Sequence, residues 1–328
     1  MVKVGSRELT LTNLNKVLWP EDGFTKADLI QYLTTIAPVL LKHLHNRPLV
    51  FTRYPDGIHG EWFYQKDTPE YAPEWLSTFR YETADPRSEK RVIEFVLANG
   101  VEDLAWIANQ ASIEIHPWLS SLGTIDYPDY AVFDLDPAPP ATFEDAVVVA
   151  RALEVCLEQL GLRGYPKTSG ATGLHIYLPV RPVYAYDAIA EFVRQVAEIV
   201  KSTMPGRVTL ARPVKERTGK VYIDYLQNIK GKTIVGPYIP RPLRGAPVST
   251  PFSWNELDGI DPARFTIQTV PARISSSGDL FDAVLRDRQS LDVAMGSLGV
   301  ATGAGGRRPA PSRAPGPQSP ARQSQWRV

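Results

Sequence analysis

The sequence has little of what several classes of protein require. It contains a single cysteine, Cys156, which excludes an internal disulfide and any zinc site built from several cysteines, and which fits a reducing compartment. No apolar run approaches the length of a membrane span, and the N-terminus lacks the layout of a signal peptide, so we expect a cytoplasmic protein with no membrane partner. Basic and acidic residues number 36 each, so any contact with nucleic acid has to come from local patches.

The rest of the composition is that of an ordinary globular protein, with 43% hydrophobic and 22% charged residues. The 328 residues leave room for two domains or one bilobed unit, and strands interleaved with helices indicate an α/β or α+β fold. Thr25 with Asp28 has the pattern of a capped helix start. Hydrophobic spacing predicts helices at 25–46, 101–111, 142–161, 186–204 and about 279–287, and strands within 8–18, 48–53, 61–65, 92–97, 131–137, 164–180 (two), 207–211 and 220–226.

Two segments have a different character. Residues 82–91 are charged and irregular, which predicts an exposed loop. Residues 303–328 consist mainly of Gly, Pro, Ser, Ala and five arginines with no acidic residue, so they cannot bury enough apolar surface to order themselves. They predict a disordered tail, with a basic arm for nucleic acid as the alternative.

The central stretch, residues 131–137, is an apolar strand that carries two carboxylates. A strand places Asp134 and Asp136 on one face, with Phe133 and Leu135 on the other, and it ends at Pro137. A Mg²⁺ or Mn²⁺ ion would relieve the repulsion between the carboxylates, whereas a solvated acidic pair is the plain alternative. In the strand at 220–225, Asp224 is a third carboxylate, and three would complete a two-metal site for phosphoryl transfer.

Glycines and basic residues occur around these carboxylates. Residues 167–178 predict a strand, a turn with two glycines and a second strand. The turn could bring backbone amides close to an anion, with donors from Ser169 and His175, or it could be a plain hairpin with a satisfied histidine. Between positions 201 and 244 there are ten basic residues and two acidic ones, an excess that suits a triphosphate or a DNA backbone, with a solvated face as the alternative.

Two further features lie nearer the N-terminus. Asn13, Lys16 and Lys26 cluster around a loop and could form a phosphate pocket. Trp62, Phe63 and Tyr64 are consecutive aromatics in a predicted strand, where alternation should bury one side and leave the other free to stack on a base. Core packing is the alternative for these rings.

Taken in order, five segments resemble the polymerase domain of bacterial ATP-dependent DNA ligase D, a member of the archaeo-eukaryotic primase superfamily. They are LTNxxKVLxP at 11–20, TKxD at 25–28, FDLDP at 133–137, TSGxxGLH at 168–175 and KVYIDY at 220–225. The resemblance covers roughly residues 8–290. Each motif is loose alone, but five in the right order are specific.

The resemblance implies an α+β primase-polymerase fold, in which an N-terminal α/β lobe packs on a central RRM-like mixed sheet. Residues 1–300 would form the catalytic domain and 301–328 a disordered basic tail. The implied activity is template-directed nucleotidyl transfer that fills short gaps and extends ends at DNA breaks, with two Mn²⁺ or Mg²⁺ ions, NTP or dNTP substrates and a preference for ribonucleotides. The implied partners are gapped or broken DNA with a 5′-phosphate, Ku and a separate ATP-dependent DNA ligase, on the nucleoid in the cytoplasm.

The resemblance also implies roles for individual residues. Asp134, Asp136 and Asp224 would be the catalytic metal ligands. The incoming nucleotide would be held by Ser169, Gly170, His175, His116, Arg217, Lys220, Lys232 and Arg244. The DNA would be held by Asn13, Lys16, Lys26, Arg53, Phe63, Tyr64 and Lys66, the first three of them around its 5′-phosphate.

The sequence departs from the family pattern in two respects. Thr172 stands where many relatives carry a lysine in the glycine turn, which puts one phosphate contact in doubt. The chain has no KxDG nucleotidylation motif and no nuclease domain, so we expect a stand-alone polymerase module, in end joining or in short-gap excision repair. The alternatives are a primase that starts chains without a primer, a DNA-end-binding module with a decayed site and a metal-dependent phosphoesterase. The three aspartates argue against decay, and the glycine turn argues against a phosphoesterase.

Overall fold

The computed structural model describes residues 1–83 and 92–302. Most of the predicted loop at 82–91 and nearly all of the predicted tail lie outside this range, and the division into a catalytic domain and a tail stays a prediction. No helix in the described ranges is both long and apolar enough to cross a bilayer.

The N-terminal lobe is built on strands that pair early in the chain. Its strands are β1 (Val2–Val4), β2 (Arg7–Leu9), β3 (Val17–Trp19), β4 (Phe24–Thr25), β5 (Leu49–Arg53), β6 (Phe63–Gln65), β7 (Thr78–Glu82), β8 (Val92–Val96) and β9 (Ser112–Pro117). Strands β1 and β2 form one antiparallel pair and β3 and β4 another, while β6, β5, β8 and β7 form a sheet in that order, with β9 also paired to β5. Strands β5 and β6 lie within the strands predicted at 48–53 and 61–65, and they pair as an antiparallel hairpin.

Three helices cover this lobe: α1 (Lys26–Thr35), α2 (Ala37–Leu44) and α3 (Val101–Asn109). The predicted cap at Thr25 is confirmed, because its hydroxyl accepts from the Asp28 backbone N–H while the Asp28 carboxylate accepts from the Thr25 N–H. The single helix predicted over 25–46 is wrong, since the chain breaks at Ile36 and restarts with Pro38 in the first turn of α2. Proline lacks the N–H that a continuous helix needs but is tolerated in a first turn.

The second half of the chain carries the mixed sheet. It comprises β10 (Tyr130–Pro137), β11 (Tyr165–Thr168), β12 (Leu174–Pro179), β13 (Val208–Thr209) and β14 (Val221–Ile223), in the order β11-β12-β10-β14-β13. Only β13 and β14 are parallel among these pairs. The long helices α4 (Phe143–Gln159) and α5 (Tyr186–Thr203) pack their apolar faces on this sheet. This arrangement confirms the α+β prediction with a central mixed sheet.

Shorter helices complete the described chain: α6 (Val270–Ser277), α7 (Asp282–Arg286) and α8 (Asp292–Ser297). The helix predicted at 279–287 is therefore shorter, and α6, α8, β7 and β9 were not predicted. Seven buried residues between β14 and α7 pack into the N-terminal core instead of the nearby mixed sheet: Val235, Tyr238, Ile239, Ala246, Val248, Ile267 and Val270. The two lobes therefore share one folded unit.

Candidate active site

The three predicted metal ligands come together at one end of the mixed sheet. Asp134 and Asp136 project from β10, while Phe133 and Leu135 are fully buried on its other face, as alternation predicted. Register pairs β10 with β14, and the backbone N–H of Asp224, just past β14, donates to the Asp134 carbonyl at 3.0 Å. This hydrogen bond fixes the third aspartate beside the first two.

The positive charge near these carboxylates is too small to offset their burial and their mutual repulsion. Burial raises the pKa of Asp134 and of Asp136, and the negative charge of their neighbours raises both further. Such an all-oxygen donor set fits a hard divalent cation. Within residues 1–83 and 92–302, however, no three His, Cys, Asp or Glu side chains are arranged to enclose a metal ion. The Oδ1 atom of Asp224 instead accepts hydrogen bonds from the Leu226 backbone N–H and the Tyr222 hydroxyl, both at 3.0 Å.

His175 and a buried lysine stand behind Asp134. The register of β10 and β12 pairs Asp134 with His175, whose Nε2 lies 3.3 Å from the Asp134 Oδ1. The Nζ of Lys167, which is fully buried, lies 2.8 Å from the His175 Nδ1 and donates to the Ser249 Oγ at 2.6 Å and the Val235 carbonyl at 3.0 Å. Burial lowers the pKa of Lys167 well below its ordinary value, so the protonation of this lysine decides which of the two nitrogens, Nζ or the His175 Nδ1, donates in their hydrogen bond.

Burial also decides the charge of the His175 ring. Burial lowers the pKa of His175 well below its ordinary value, and the charge of Lys167 adds to the effect. The imidazole is therefore neutral near neutral pH. No sequence pattern singles out Lys167, because a lysine at an alternating position in a strand usually points to solvent.

The glycine turn between β11 and β12 packs directly against β10. The Ser169 Oγ accepts from the backbone N–H groups of Ala171 and Gly173 at 3.1 and 3.0 Å, which closes the turn. Gly170 has a φ of +74°, a conformation that favours glycine. A Cβ on Gly173 would lie 2.3 Å from the Leu135 carbonyl oxygen, so only glycine permits this approach. The turn is therefore held against the strand that carries the carboxylates.

An arginine that the sequence did not single out links this turn to the N-terminal lobe. Arg241 donates from Nε to the Glu114 Oε1 at 2.6 Å and from a terminal nitrogen to the Ser169 carbonyl at 2.7 Å. His116, the predicted nucleotide contact, lies on the same side, with its Nε2 3.5 Å from the other Glu114 oxygen. Arg244, predicted to bind the triphosphate, is exposed, and its charge acts on Glu21 instead. The basic residue beside the glycine turn is thus Arg241.

The other predicted nucleotide contacts separate into near and distant groups. The Arg217 guanidinium lies 3.5 Å above the Tyr222 ring, and its charge acts on Asp136. Lys220 donates to the Pro205 carbonyl at 3.2 Å, along the outer edge of the sheet. Lys232 is exposed at the rim of a groove toward the N-terminal lobe. Of these three, Arg217 is the one that acts on the carboxylates.

The residues of the predicted phosphate pocket lie before and at the start of α1, where the Lys16 Nζ pairs with the Asp56 Oδ1 at 2.6 Å. Asn13 adopts a φ of +49°, and the Lys16 and Lys26 backbone N–H groups donate to the Asn13 and Lys16 carbonyls at 3.0 and 2.8 Å. The buried Lys26 Nζ donates to the Asn109 carbonyl at 3.0 Å. Burial lowers the pKa of Lys26, and the charges of Lys16 and Arg53 lower it further. An anion here would relieve that crowding of positive charge.

The aromatic strand faces solvent more than the sequence predicted. Trp62, Phe63 and Tyr64 are 59%, 45% and 45% exposed, so the expectation that alternation would bury one side is wrong. The reason is that β6 is an edge strand of its sheet. The Arg53 guanidinium lies 5.0 Å from the Phe63 ring centre, in a cation–π contact. Lys66 follows on the same edge and is exposed.

Comparison with known proteins now decides the family. The family described as "LigD, primase-polymerase domain" matches residues 25–281. The chain belongs to the LigD primase-polymerase family. The structure also resembles the solved "Polymerase Domain from Mycobacterium tuberculosis Ligase D in complex with DNA", with a TM-score of 0.78, 33% sequence identity, and coverage of 86% of this chain and 99% of that one. These matches confirm the resemblance and the predicted fold.

The LigD proteins themselves are longer. The chain is 34% identical over 86% of its length to the "Bifunctional non-homologous end joining protein LigD" of Bacillus subtilis (strain 168), of which it covers 45%. It is 32% identical over 86% of its length to the "Multifunctional non-homologous end joining protein LigD" of Mycolicibacterium smegmatis, of which it covers 37%. This LigD-type chain thus spans less than half the length of these relatives.

Proposed function

We propose that this LigD-type chain is a template-directed nucleotidyltransferase that fills short gaps and extends primer ends at DNA breaks. The observation that carries the proposal is the set of three aspartates at one sheet end, with the glycine turn and Arg241 beside them. Carboxylates next to a basic, glycine-lined turn suit the binding of metal-bound phosphates better than any other chemistry in the described residues.

Asp134, Asp136 and Asp224 would hold two Mn²⁺ or Mg²⁺ ions. When bound, such ions activate a primer 3′-hydroxyl and neutralise charge on the leaving pyrophosphate. The chain's own groups orient the substrate, since the turn at Ser169 and Gly170 offers backbone amides, and the His175 Nε2 lies 3.3 Å from the Asp134 Oδ1. Arg217 and Arg241 add positive charge for the triphosphate, with Lys220, Lys232 and Arg244 in outer positions. The preference for ribonucleotides is part of this proposal.

Broken or gapped DNA would bind along the N-terminal lobe. Asn13, Lys16 and Lys26 would take the 5′-phosphate, where the start of α1 adds the positive end of the helix dipole. Phe63 and Tyr64 would stack on bases near the template, with Arg53 and Lys66 as support. The solved relative in complex with DNA supports DNA as the ligand, and the relatives named for non-homologous end joining support broken ends as its form. Ku and a separate ligase as partners, on the cytoplasmic nucleoid, are part of the proposal.

The test is extension of a labelled primer across a short gap, with or without a 5′-phosphate, using Mn²⁺ and either NTPs or dNTPs. Wild type should add template-matched nucleotides, a chelator should stop addition, and Asp134→Asn should abolish it while the protein stays folded. Retained addition in Asp134→Asn would remove that residue from the catalytic set.

The phosphate pocket is tested in the same assay. Lys16→Ala should weaken the use of the phosphorylated gap about tenfold, the loss of one charge-assisted contact, and should leave the unphosphorylated gap unchanged. The exposed Lys3→Ala serves as the control. Equal effects of Lys16→Ala on both gaps would reject the pocket.

The family description also names primase activity, so a second function, starting chains without a primer, needs its own measurement. Products formed on an unprimed single strand would favour it. Extension that occurs only with a primer would favour gap filling.

A further inference from the structure

A polar pocket of about 220 Å³ lies at the end of β10 that is remote from the carboxylates. It is bordered by the end of α2, by residues 121–123 and by the segment around α7. Asp129 in its lining precedes β10 directly, and about 17 Å of extended strand separates it from Asp134. None of the residues assigned above to nucleotide or DNA binding lines this pocket. Since sites for drug-sized ligands usually have about 300–1,000 Å³, the pocket suits a smaller molecule.

The most buried part of the pocket wall is an ion pair. The Arg47 Nη2 lies 2.8 Å from the Asp129 Oδ2 and donates to the Tyr130 hydroxyl at 2.7 Å. The other terminal nitrogen of Arg47 donates to the Trp118 carbonyl at 3.4 Å. The Arg47 and Asp129 side chains are each only 7% exposed. These contacts hold the ion pair in place at the wall of the pocket.

The carboxylate of Asp129 keeps room for further hydrogen bonds. Arg47 supplies the compensating charge, but neither oxygen of Asp129 receives a well-aligned hydrogen bond from residues 1–83 and 92–302. A buried acceptor without a donor is unfavourable and rare in a native protein. Because an ionised carboxylate only accepts, the group that satisfies it has to be a donor. A ligand with a hydroxyl group would supply that donor.

The outer part of the pocket carries positive charge that is not neutralised. Lys42 and Arg288 are exposed lining residues, and neither forms an ion pair within the described part of the chain. Asp129 is the one carboxylate among the described lining residues, and Arg47 already balances its charge. With His45 neutral, three cations and one carboxylate leave an excess of two positive charges. The pocket therefore favours an anion.

The residue types at the rim favour a phosphate as that anion. The guanidinium of Arg288 matches two phosphate oxygens at once, and the ammonium of Lys42 adds a point charge. Two free cations compensate a doubly charged phosphomonoester, whereas a single carboxylate would leave one of them unbalanced. The rim thus suits a phosphate, and the wall at Asp129 suits a hydroxyl on the same small molecule.

We propose that this pocket binds a small phosphorylated polyol, such as a sugar phosphate or glycerol phosphate. The phosphate lies between Lys42 and Arg288, and a hydroxyl group donates to Asp129. The proposal does not rest on the function proposed above, because it concerns a separate site.

The first experiment measures binding to the full chain by titration calorimetry, without DNA and with EDTA present. The probes are glycerol 3-phosphate, n-propyl phosphate, which has the same carbon chain but no hydroxyl, and inorganic phosphate. Glycerol 3-phosphate should bind saturably, and n-propyl phosphate about tenfold more weakly, the effect of losing one hydrogen bond to a charged group. Equal affinity for all three probes, or no saturable binding at millimolar concentrations, would overturn the proposal.

Arginine variants locate the site. Arg288→Ala should weaken the binding of glycerol 3-phosphate about tenfold, whereas Arg286→Ala should leave it unchanged. Arg286 is also exposed, but it pairs with Asp282 and does not line the pocket. Lys16→Ala, in the predicted 5′-phosphate pocket, should leave this binding unchanged as well. Loss of binding in Lys16→Ala but not in Arg288→Ala would reject the proposal.

Asp129→Asn tests the contact with the hydroxyl. The amide is a weaker acceptor than the carboxylate, so the difference in affinity between glycerol 3-phosphate and n-propyl phosphate should become smaller. Thermal unfolding shows whether this variant is folded, and the Arg288→Ala result decides the proposal if it is not. A folded Asp129→Asn protein that keeps the full difference would overturn the assigned contact.

The two proposals can fail separately. A wild-type protein that binds glycerol 3-phosphate but does not extend a primer would reject the proposed function and support the pocket. A protein that fills gaps but binds no glycerol 3-phosphate would reject the pocket alone.

Discussion

Replacement of Gly173 by alanine tests how closely the glycine turn packs against β10, the strand that carries Asp134 and Asp136. The added Cβ would lie 2.3 Å from the Leu135 carbonyl oxygen and 3.4 Å from the Asp136 Oδ1. A real Cβ is essentially never that close to a backbone oxygen, and Leu135 cannot retreat because its own strand is paired on both sides. The turn therefore has to separate from β10 between the two carboxylates.

The magnitude follows from this overlap. Overpacking usually costs about 1–3 kcal/mol, and contact with backbone inside a central strand should reach about 3 kcal/mol. At about 2 °C per kcal/mol for a chain of this size, Gly173→Ala should unfold roughly 6 °C lower than the wild type. Gap filling, measured well below that temperature, should also fall because the Ser169 turn is displaced from Asp136.

The control is Gly206→Ala, between α5 and β13, where an added Cβ would meet no atom within 4 Å. That variant should unfold within about 0.5 kcal/mol of the wild type and retain activity. The reasoning would be refuted by a Gly173→Ala protein with unchanged thermal unfolding and unchanged gap filling.

Two further predictions concern Glu114 and Arg241. Burial alone would raise the pKa of Glu114, but contacts with His116 and Arg241 lower this pKa to about 2 from an ordinary 4.5. The ionised carboxylate therefore adds about 3 kcal/mol to the free energy of unfolding. This stabilisation is complete above pH 5 and is lost as the pH falls toward 2. Glu114→Gln should therefore be less stable than wild type in urea at pH 7, with a difference that narrows on acidification; a constant difference would contradict this. Arg241→Met should reduce both stability and gap filling, whereas the exposed Arg244→Met should leave stability unchanged and reduce gap filling less than Arg241→Met does; the reverse order would favour the sequence prediction.

The sequence predicted elements whose signals are local. Thr25 with Asp28 forms the predicted capping box at the start of α1, because a cap depends on residues three positions apart. The alternation of Asp134 and Asp136 with buried neighbours depends only on strand geometry. The motifs around these residues were also sufficient to find the family.

What the sequence missed depends on contacts between distant segments. Arg241 and Glu114 are 127 residues apart, and Lys167 meets Ser249 across 82 residues. No periodicity reports such pairs, so the sequence predicts the nearby Arg244 as the triphosphate contact and does not single out Lys167. The exposure of Trp62 could not be predicted for a related reason, since only the order of strands makes β6 an edge.

The core of the N-terminal lobe has a consequence for synthesis on the ribosome. That core includes Val235, Tyr238, Val248 and Val270, which are translated after the whole mixed sheet. As the chain emerges from the exit tunnel, the sheet with its carboxylates can close first, while the earlier-made lobe still exposes apolar surface. Such surface is the kind that chaperones bind. The N-terminal lobe is thus the last to be completed, although its residues are the first to be made.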